Sequence, residues 1–331
     1  MQNRRPTLAD VAARANVSRA LVSIVMRNAP GASEATREKV RAAADALGYR
    51  PDPRARRLRQ RRSNLIGVVF TPAQEFHAGL VDAVYVAADA AGYEVVLSCV
   101  TPRRDERRAI RTLLDDRCDA LILIGSDLPR RELVALRAHV PVVVMARRVQ
   151  GVDVVRSDDA SGAGLAVQHL VGLGHRSIVY LDGGRAPGAA QRRRGFTRAV
   201  AAAGIVGRLV DGGLTEREGA VAAAALLADP EPPPTAIFAF NDRCALGVLD
   251  ILIRHGMAIP DDVSVVGYDN NPLAGLAHID LTTISQDTDT LAVAAIDRVV
   301  TQLGGVDVGG SVDRTSAPRL VIRGSTGAPR N

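Results

Sequence analysis

From Asn64 onward the chain alternates short, β-branched apolar runs with longer amphipathic stretches, and this alternation restricts its possible folds more than any other feature. The runs NLIGVVF, YEVVLSCV, CDALILIG, PVVVMA, SIVYLDG, TAIFAF, VSVVGYD and RLVIRG are close to continuously apolar, as in strands buried on both faces. Between them lie HAGLVDAVYVAADAAG, SGAGLAVQHLVGLG, QRRRGFTRAVAAAG and NDRCALGVLDILIRHG, whose apolar residues recur at helical spacing. Strands and helices in alternation imply parallel sheets clad with helices on both sides. Eight such strands over one segment exceed what a single open sheet ordinarily holds, so two sheets side by side are expected.

Residues 6–48 have a different texture and read as three short helices. Thr7 opens the first with T-L-A-D, a capping pattern in which Asp10 reaches back, and Leu8, Val11, Ala12 and Ala15 share one face. Asn16-Val17 makes a tight break, and Ser18 caps a second helix, SRALVSIVM. Val22, Val25 and Met26 face inward there, which leaves Arg19, Ala20, Ser23 and Ile24 outward. A third helix, SEATREKVRAAADAL, opens near Ser33 and stops at Gly48. Two short capped helices across a tight break match a helix–turn–helix, whose second helix enters the major groove of DNA. Helix pairs that bind nothing share that pattern, so the charge distribution has to decide.

The whole chain carries a formal net charge of +6, but the charge is divided unevenly. Residues 1–65 hold 15 basic against five acidic side chains, a net +10, and the remainder holds 27 against 31, a net −4. Lys39 is the sole lysine; a GC-rich gene explains arginine over lysine but not its collection at one end. The segment YRPDPRARRLRQRRS (49–63) is almost wholly basic around a single large apolar residue, Leu58. Its charges repel and it has no apolar face, so it is read as a linker that orders only against a polyanion.

Other classes fall away. No apolar run approaches the ~20 residues of a membrane span, and MQNRRPTLAD lacks the apolar core of a signal peptide. Cys99, Cys118 and Cys244 are odd in number and widely spaced, which argues against a disulfide framework and fits a reducing cytoplasm. No phosphate loop, nucleophile elbow or metal-spaced histidine pair occurs, and GAGLAV (162–167) lacks the last glycine of a dinucleotide fingerprint and follows none of the strand runs above. No catalytic residue, metal or cofactor is therefore expected. A stand-alone sugar-binding protein would need export, and a nucleotide-using α/β enzyme would need a phosphate loop.

The blocks TLADVAARANVSRALVSIVM, SEATREKV and ALGYRPDPRARRLR…SNLIGVV resemble the lactose/galactose-repressor (LacI/GalR) family of bacterial transcription regulators. HLVGLGHRSI, RRRGF, FAFNDRCALG, IPDDVSVVGYDN, LTTISQD and RLVIRGST continue the likeness in order to the C-terminus. The resemblance implies an α/β chain: an all-α helix–turn–helix headpiece (1–48), a hinge (49–63) and a two-lobed, doubly wound, periplasmic-binding-protein-like effector domain (64–331). Lobe 1 would comprise about 64–159 and 287–314, and lobe 2 about 160–286 and 315–326. A homodimer would bind near-palindromic double-stranded operator DNA, expectedly as a repressor, under control of a small molecule held between the lobes.

The same likeness nominates residues. Thr7, Ser18, Arg19, Ala20, Ser23 and Ile24 would lie at the DNA, with Arg19 placed for a bidentate contact to guanine or else for a phosphate. Leu21 stands where the family usually carries threonine and Ile24 where arginine is usual, so the operator sequence is left open. Leu58 matches the hinge leucine that wedges into the minor groove, with Arg54 and Arg57 on phosphate or in that groove. Phe76, Arg192, Asn241, Asp269 and Gln286 would bind the effector, whereas Asp242 reads as a helix cap and His175 as structural. Sugars, sugar phosphates and nucleobases all suit such a pocket.

Overall fold

The computed structural model describes residues 6–50, 62–231, 233–305 and 310–330, and the chain divides into two units, Met1–Ser63 and Asn64–Asn331. The first unit contains α1 (Leu8–Ala15), α2 (Arg19–Met26) and α3 (Glu34–Leu47). The Asp10 carboxylate accepts from the Thr7 backbone N–H and hydroxyl, each at 2.7 Å, and closes the start of α1. Asn16, left-handed at φ 48°, makes the tight turn, and the Ser18 hydroxyl accepts from the Leu21 N–H at 3.2 Å to open α2. The core is small and aliphatic: Val11, Ala15, Val22, Val25, Val40 and Ala44, with Leu8, Met26 and Tyr49 packed on it. Arg37 on α3 donates to the Ala29 carbonyl at 2.6 Å and fixes the loop after α2.

The second unit contains two six-stranded sheets. In the first, β1 (Leu65–Phe70), β2 (Glu94–Cys99), β3 (Ala120–Ile124), β4 (Val142–Met145), β5 (Asp153–Ser157) and β11 (Asp313–Ser316) run in the order β11-β5-β4-β3-β1-β2, every pair parallel. In the second, β6 (Ser177–Asp182), β7 (Val206–Asp211), β8 (Ala236–Ala239), β9 (Ser264–Asp269), β10 (Thr282–Ser285) and β12 (Arg319–Val321) run β12-β10-β9-β8-β6-β7, with only β12 antiparallel. The helices α4 (Glu75–Ala90), α5 (Glu106–Asp115), α6 (Arg130–Arg137) and α11 (Thr288–Leu303) cover the first sheet. The second is covered by α7 (Asp159–Gly172), α8 (Ala189–Ala203), α9 (Glu216–Ala228) and α10 (Asp242–Arg254).

All eight apolar runs become strands, although RLVIRG is reduced to three residues at an edge. Four strands escape a reading based on apolar runs. DVVRS, TTIS and DRTS are too polar, and VGRLVD is an edge strand whose Val206 is 73% exposed. Their polar side chains have partners that local pattern does not reveal; Arg156 on β5, for one, donates to Asp313 on β11 at 2.9 Å. Asp153 at the head of β5 is fully buried against Arg298 of α11, itself 4% exposed.

The apolar clusters stay within lobes. Ile66, Leu80, Ile122 and Ile296 pack on one face of the first sheet and Leu113, Leu121 and Leu133 on the other. Leu181, Val248 and Val265 fill one face of the second, and Tyr180, Phe196 and Tyr268 fill the other. Among the described residues no apolar cluster joins the two sheets. The chain crosses between them at residue 158, at 286–287 and at 317–318, and the bridges are polar, such as Asn271 Nδ2 to the Glu75 carboxylate at 3.0 Å. Among the described residues no helix is long and apolar enough to cross a membrane.

Candidate functional site

The carboxyl ends of strands from both sheets open on a cleft of about 800 Å³. It lies where the strand order reverses, the usual ligand position in doubly wound sheets. Phe76, Arg192, Asn241, Asp269 and Gln286, the five residues nominated for effector binding, all line it.

Arg192 is the centre of the site. It lies on α8 and is 5% exposed. Its Nε donates to Asp159 Oδ1 at 2.9 Å, Nη1 donates to the Phe240 carbonyl at 2.6 Å, and Nη2 lies 3.6 Å from Asp269. The guanidinium carbon sits 3.6 Å from the Tyr268 ring centroid and 4.5 Å from that of Phe240, a cation–π arrangement shielded from water. Two glycines make this approach possible. A Cβ on Gly195 would overlap the backbone of Ala160, and one on Gly162 would overlap the Tyr268 hydroxyl, so α8 and α7 close on each other and on β9. The stretch GAGLAV does follow a strand, β5, contrary to the expectation from sequence, but its first glycine is taken up by this packing.

Asp159, the principal partner of Arg192, is not among the nominated residues. It occupies the first turn of α7 beside Asp158, whose carboxylate accepts from the Ser161 N–H at 3.1 Å as the cap. The D-D-x-S run shows a helix start; that the second acid turns inward to meet an arginine 33 residues on is a matter of packing.

Asp269 ends β9 with φ 107°, a left-handed value uncommon for a side-chain-bearing residue. Burial pushes its carboxyl up to about 6, against the pull of Arg192 and of Gln286, whose Nε2 donates to it at 2.6 Å. Asn241 is more constrained than a ligand-reading amide: Oδ1 accepts from the Cys244 N–H at 2.8 Å as the cap of α10, and Nδ2 donates to the Leu214 carbonyl at 3.1 Å. Phe76 borders the core of the first sheet. Its neighbour His77 also lines the cleft; Nδ1 accepts from the Thr71 N–H at 3.3 Å, which leaves Nε2 as the donor, and burial lowers its pKa to about 4. His175 lies within a polar knot, with Nδ1 2.9 Å from Thr235 and Nε2 2.9 Å from the Gly327 carbonyl.

Asp242 is no cap; Asn241 is. Asp242 ties α10 to the sheet instead, accepting from the Asn271 N–H at 2.7 Å and from the Thr283 hydroxyl. Burial first, and the Asp269 charge second, push its carboxyl up to about 8. An unfolded aspartate ionises near ~4, so the folded chain holds a proton that the unfolded chain lacks from there to about 8. Stability therefore falls as pH rises through that window. The buried histidines act in the opposite sense only below ~6.5, the ordinary histidine value. From pH 6.5 to 8 the expected loss is about 1.4 kcal/mol per pH unit, levelling off above it. Asp242→Asn keeps both contacts, its oxygen accepting from Asn271 and its amide donating to Thr283, and is expected to abolish the slope. Denaturant titrations across this range check it; a flat wild-type profile refutes it.

In the first unit Arg19 and Ala20 are exposed at the start of α2, and Ser18 is exposed with its hydroxyl used as the cap. Ser23 and Ile24 are half-buried, and Thr7 is half-buried with its hydroxyl on Asp10. Arg54, Arg57 and Leu58, the nominated hinge residues, lie outside the described residues.

Two family models match. Residues 7–52 match "Bacterial regulatory proteins, lacI family" and residues 167–326 match a periplasmic binding protein-like domain. The chain is 32% identical over 336 residues to the HTH-type transcriptional repressor CytR of Escherichia coli K12, covering 99% of this chain and 98% of that protein. It is 48% identical to a LacI transcriptional regulator from a Rhodococcus species, over 80% of this chain and all of that one, with a TM-score of 0.77. It is 30% identical to the lac repressor dimer bound to operator and the anti-inducer ONPF, over 98% of this chain and all of that one, with a TM-score of 0.83.

Proposed function

This chain belongs to the lacI family of bacterial regulatory proteins and is a DNA-binding transcriptional regulator; on that premise we propose that it is a repressor whose hold on operator DNA is set by a small effector bound in the cleft around Arg192. The observation that carries the proposal is the cleft itself, lined from both sheets and centred on a buried arginine between two carboxylates. With no apolar cluster joining the lobes among the described residues, a ligand that touches both can change their angle at low cost. That coupling is reciprocal: whatever the ligand does to operator affinity, operator does to ligand affinity, typically by ~1–3 kcal/mol.

Two copies would present paired α2 helices to adjacent major grooves of a near-palindromic site, as dimer and operator are paired in the lac repressor structure. Exposed Tyr85 and Val86 on α4 and Val221 and Ile253 on α9 and α10 offer apolar surface for such a contact. The residue ranges would divide as the family resemblance implies, with 1–48 as headpiece, 49–63 as hinge and 64–331 as effector domain.

The test uses an operator recovered by selection from random DNA. Arg19→Ala is expected to weaken operator binding by about 1–3 kcal/mol while hardly changing affinity for unrelated DNA. Leu58→Ala is expected to lower operator affinity and spare ligand binding, and affinity for DNA, operator or unrelated, should fall steeply with salt. Operator affinity unchanged in Leu58→Ala refutes the hinge role.

A further inference from the structure

Around the cleft the donors of Arg192, Asn241 and Gln286 are committed to protein groups, whereas among the described residues the carboxylates of Asp127 and Asp211 and Oδ1 of Asp182 accept no hydrogen bond. Arg192 directs Nε at Asp159 and Nη1 at the Phe240 carbonyl, the Asn241 amide donates to Leu214, and Gln286 donates to Asp269. The lining holds six carboxylates, Asp127, Asp159, Asp182, Asp211, Glu218 and Asp269, against two guanidinium groups, Arg185 and Arg192. A phosphate or carboxylate entering this space meets a net negative lining, in which the uncommitted donors are one exposed guanidinium, Arg185, and neutral groups such as His77 Nε2.

Asp182 sharpens this picture. It ends β6, paired in register with Asp211 of β7, and is 8% exposed. Its Oδ2 accepts from Arg193 Nε at 3.0 Å and from Nη2 of the same guanidinium. Its Oδ1 is buried with no hydrogen-bond partner, on a residue that lines the cleft. A buried carboxylate oxygen without a donor is costly to leave so, and Arg193 on the other oxygen neither supplies nor blocks one.

We propose that the effector is a polyol carrying an amine and no anionic group, an amino sugar in its simplest form, and that Asp182 selects it by accepting a hydrogen bond from the ammonium through Oδ1. The inference rests on reading the cleft as the effector site. Asp211, exposed on the neighbouring strand end, adds charge at the rim. Hydroxyls of the same molecule find further acceptors in Asp127 and Asp269. Arg192 then acts as the fixed neutral platform of the site, its charge already balanced by Asp159 and Asp269.

The full chain is titrated calorimetrically with glucosamine, glucose and glucose 6-phosphate. Glucosamine is expected to bind tightest, with glucose 6-phosphate weaker by about tenfold or more. In Asp182→Asn, Arg193 holds the amide oxygen and turns the NH2 toward the cleft, replacing an acceptor by a donor, so glucosamine affinity should fall about tenfold or more. Asp211→Asn, on an exposed side chain, should lose a smaller factor. If Asp182→Asn fails to fold, the ratio of glucosamine to glucose 6-phosphate affinity in Asp211→Asn decides: a ratio equal to wild type overturns the proposal. It is also overturned by glucose 6-phosphate binding as tightly as glucosamine, by no binding of any of the three, or by undiminished glucosamine affinity in folded Asp182→Asn. Adding labelled operator keeps the two readings apart. Glucosamine that binds through Asp182 yet leaves operator affinity unchanged would overturn the effector role and leave this site standing.

Discussion

Arg192→Ala is expected to cost the effector domain about 3–5 kcal/mol of stability and to abolish ligand binding in the cleft, because it strands two carboxylates that the guanidinium now joins. Asp159 and Asp269 have side chains 9% and 14% exposed, so neither recovers full hydration when its partner is gone. The loss also removes the filling between the Tyr268 and Phe240 rings. The carboxyl of Asp269, already at about 6, would rise further without the cation, so the folded variant would bind its proton at higher pH than wild type. Its stability deficit should therefore shrink as pH falls through the wild-type value of about 6 toward 5. Arg192→Lys should not rescue binding, since an ammonium cannot span Asp159 and the Phe240 carbonyl while lying flat on an aromatic ring. Denaturant unfolding at several pH values, with ligand titration alongside, checks this. A variant of wild-type stability, or one that binds ligand normally, would refute it.

Asp153→Ala is expected to cost a comparable ~3–5 kcal/mol without touching the cleft. Asp153 is fully buried; its Oδ2 accepts from Arg298 Nε at 2.9 Å and Gln302 Nε2 at 2.6 Å, and its Oδ1 from the Val312 N–H at 2.8 Å. One carboxylate thus ties β5 to α11 and to the segment that enters β11, and its removal leaves a buried guanidinium with no counter-charge. Ligand affinity per folded molecule should match wild type. The pair of variants separates two uses of the same chemistry: an ion pair that holds a lobe together, and one that holds a lobe together and also faces the ligand. A Kd shifted in Asp153→Ala beyond what unfolding accounts for would show that the two lobes are more tightly coupled than their separate cores imply.

Much of the architecture was legible because it is written in local period and composition. Leu8, Val11 and Ala15 repeat at helical spacing and do form the inward face of α1, and the apolar runs from NLIGVVF onward are the buried strands. The strands that escaped are those whose polar residues are satisfied at long range. Thr283 on β10 interrupts any apolar run, and only the fold shows its hydroxyl donating to the Asp242 carboxylate. Arg192, Asp269, Asn241, Gln286 and Phe76 could be nominated through family likeness, and all five meet in one cleft. Their division of labour could not: Asn241 is occupied as a cap and Gln286 by Asp269, while Asp159 and Asp182 carry the charges that face the space between.

The sequence by itself determined the class of the molecule. Period-two and period-3.6 patterns specify which segments become strands and helices, and the split between +10 on the first 65 residues and −4 on the rest assigns one end to a polyanion. These are local or additive properties, and a linear string records them in full. Only the tertiary structure decided the character of the cleft. Whether an aspartate caps a helix, balances a buried arginine or keeps one buried oxygen without a partner depends on burial and on neighbours far away in sequence. Asp159, Asp182, Asp242 and Asp269 are the same residue in the sequence, and their surroundings in the fold give them four different chemistries.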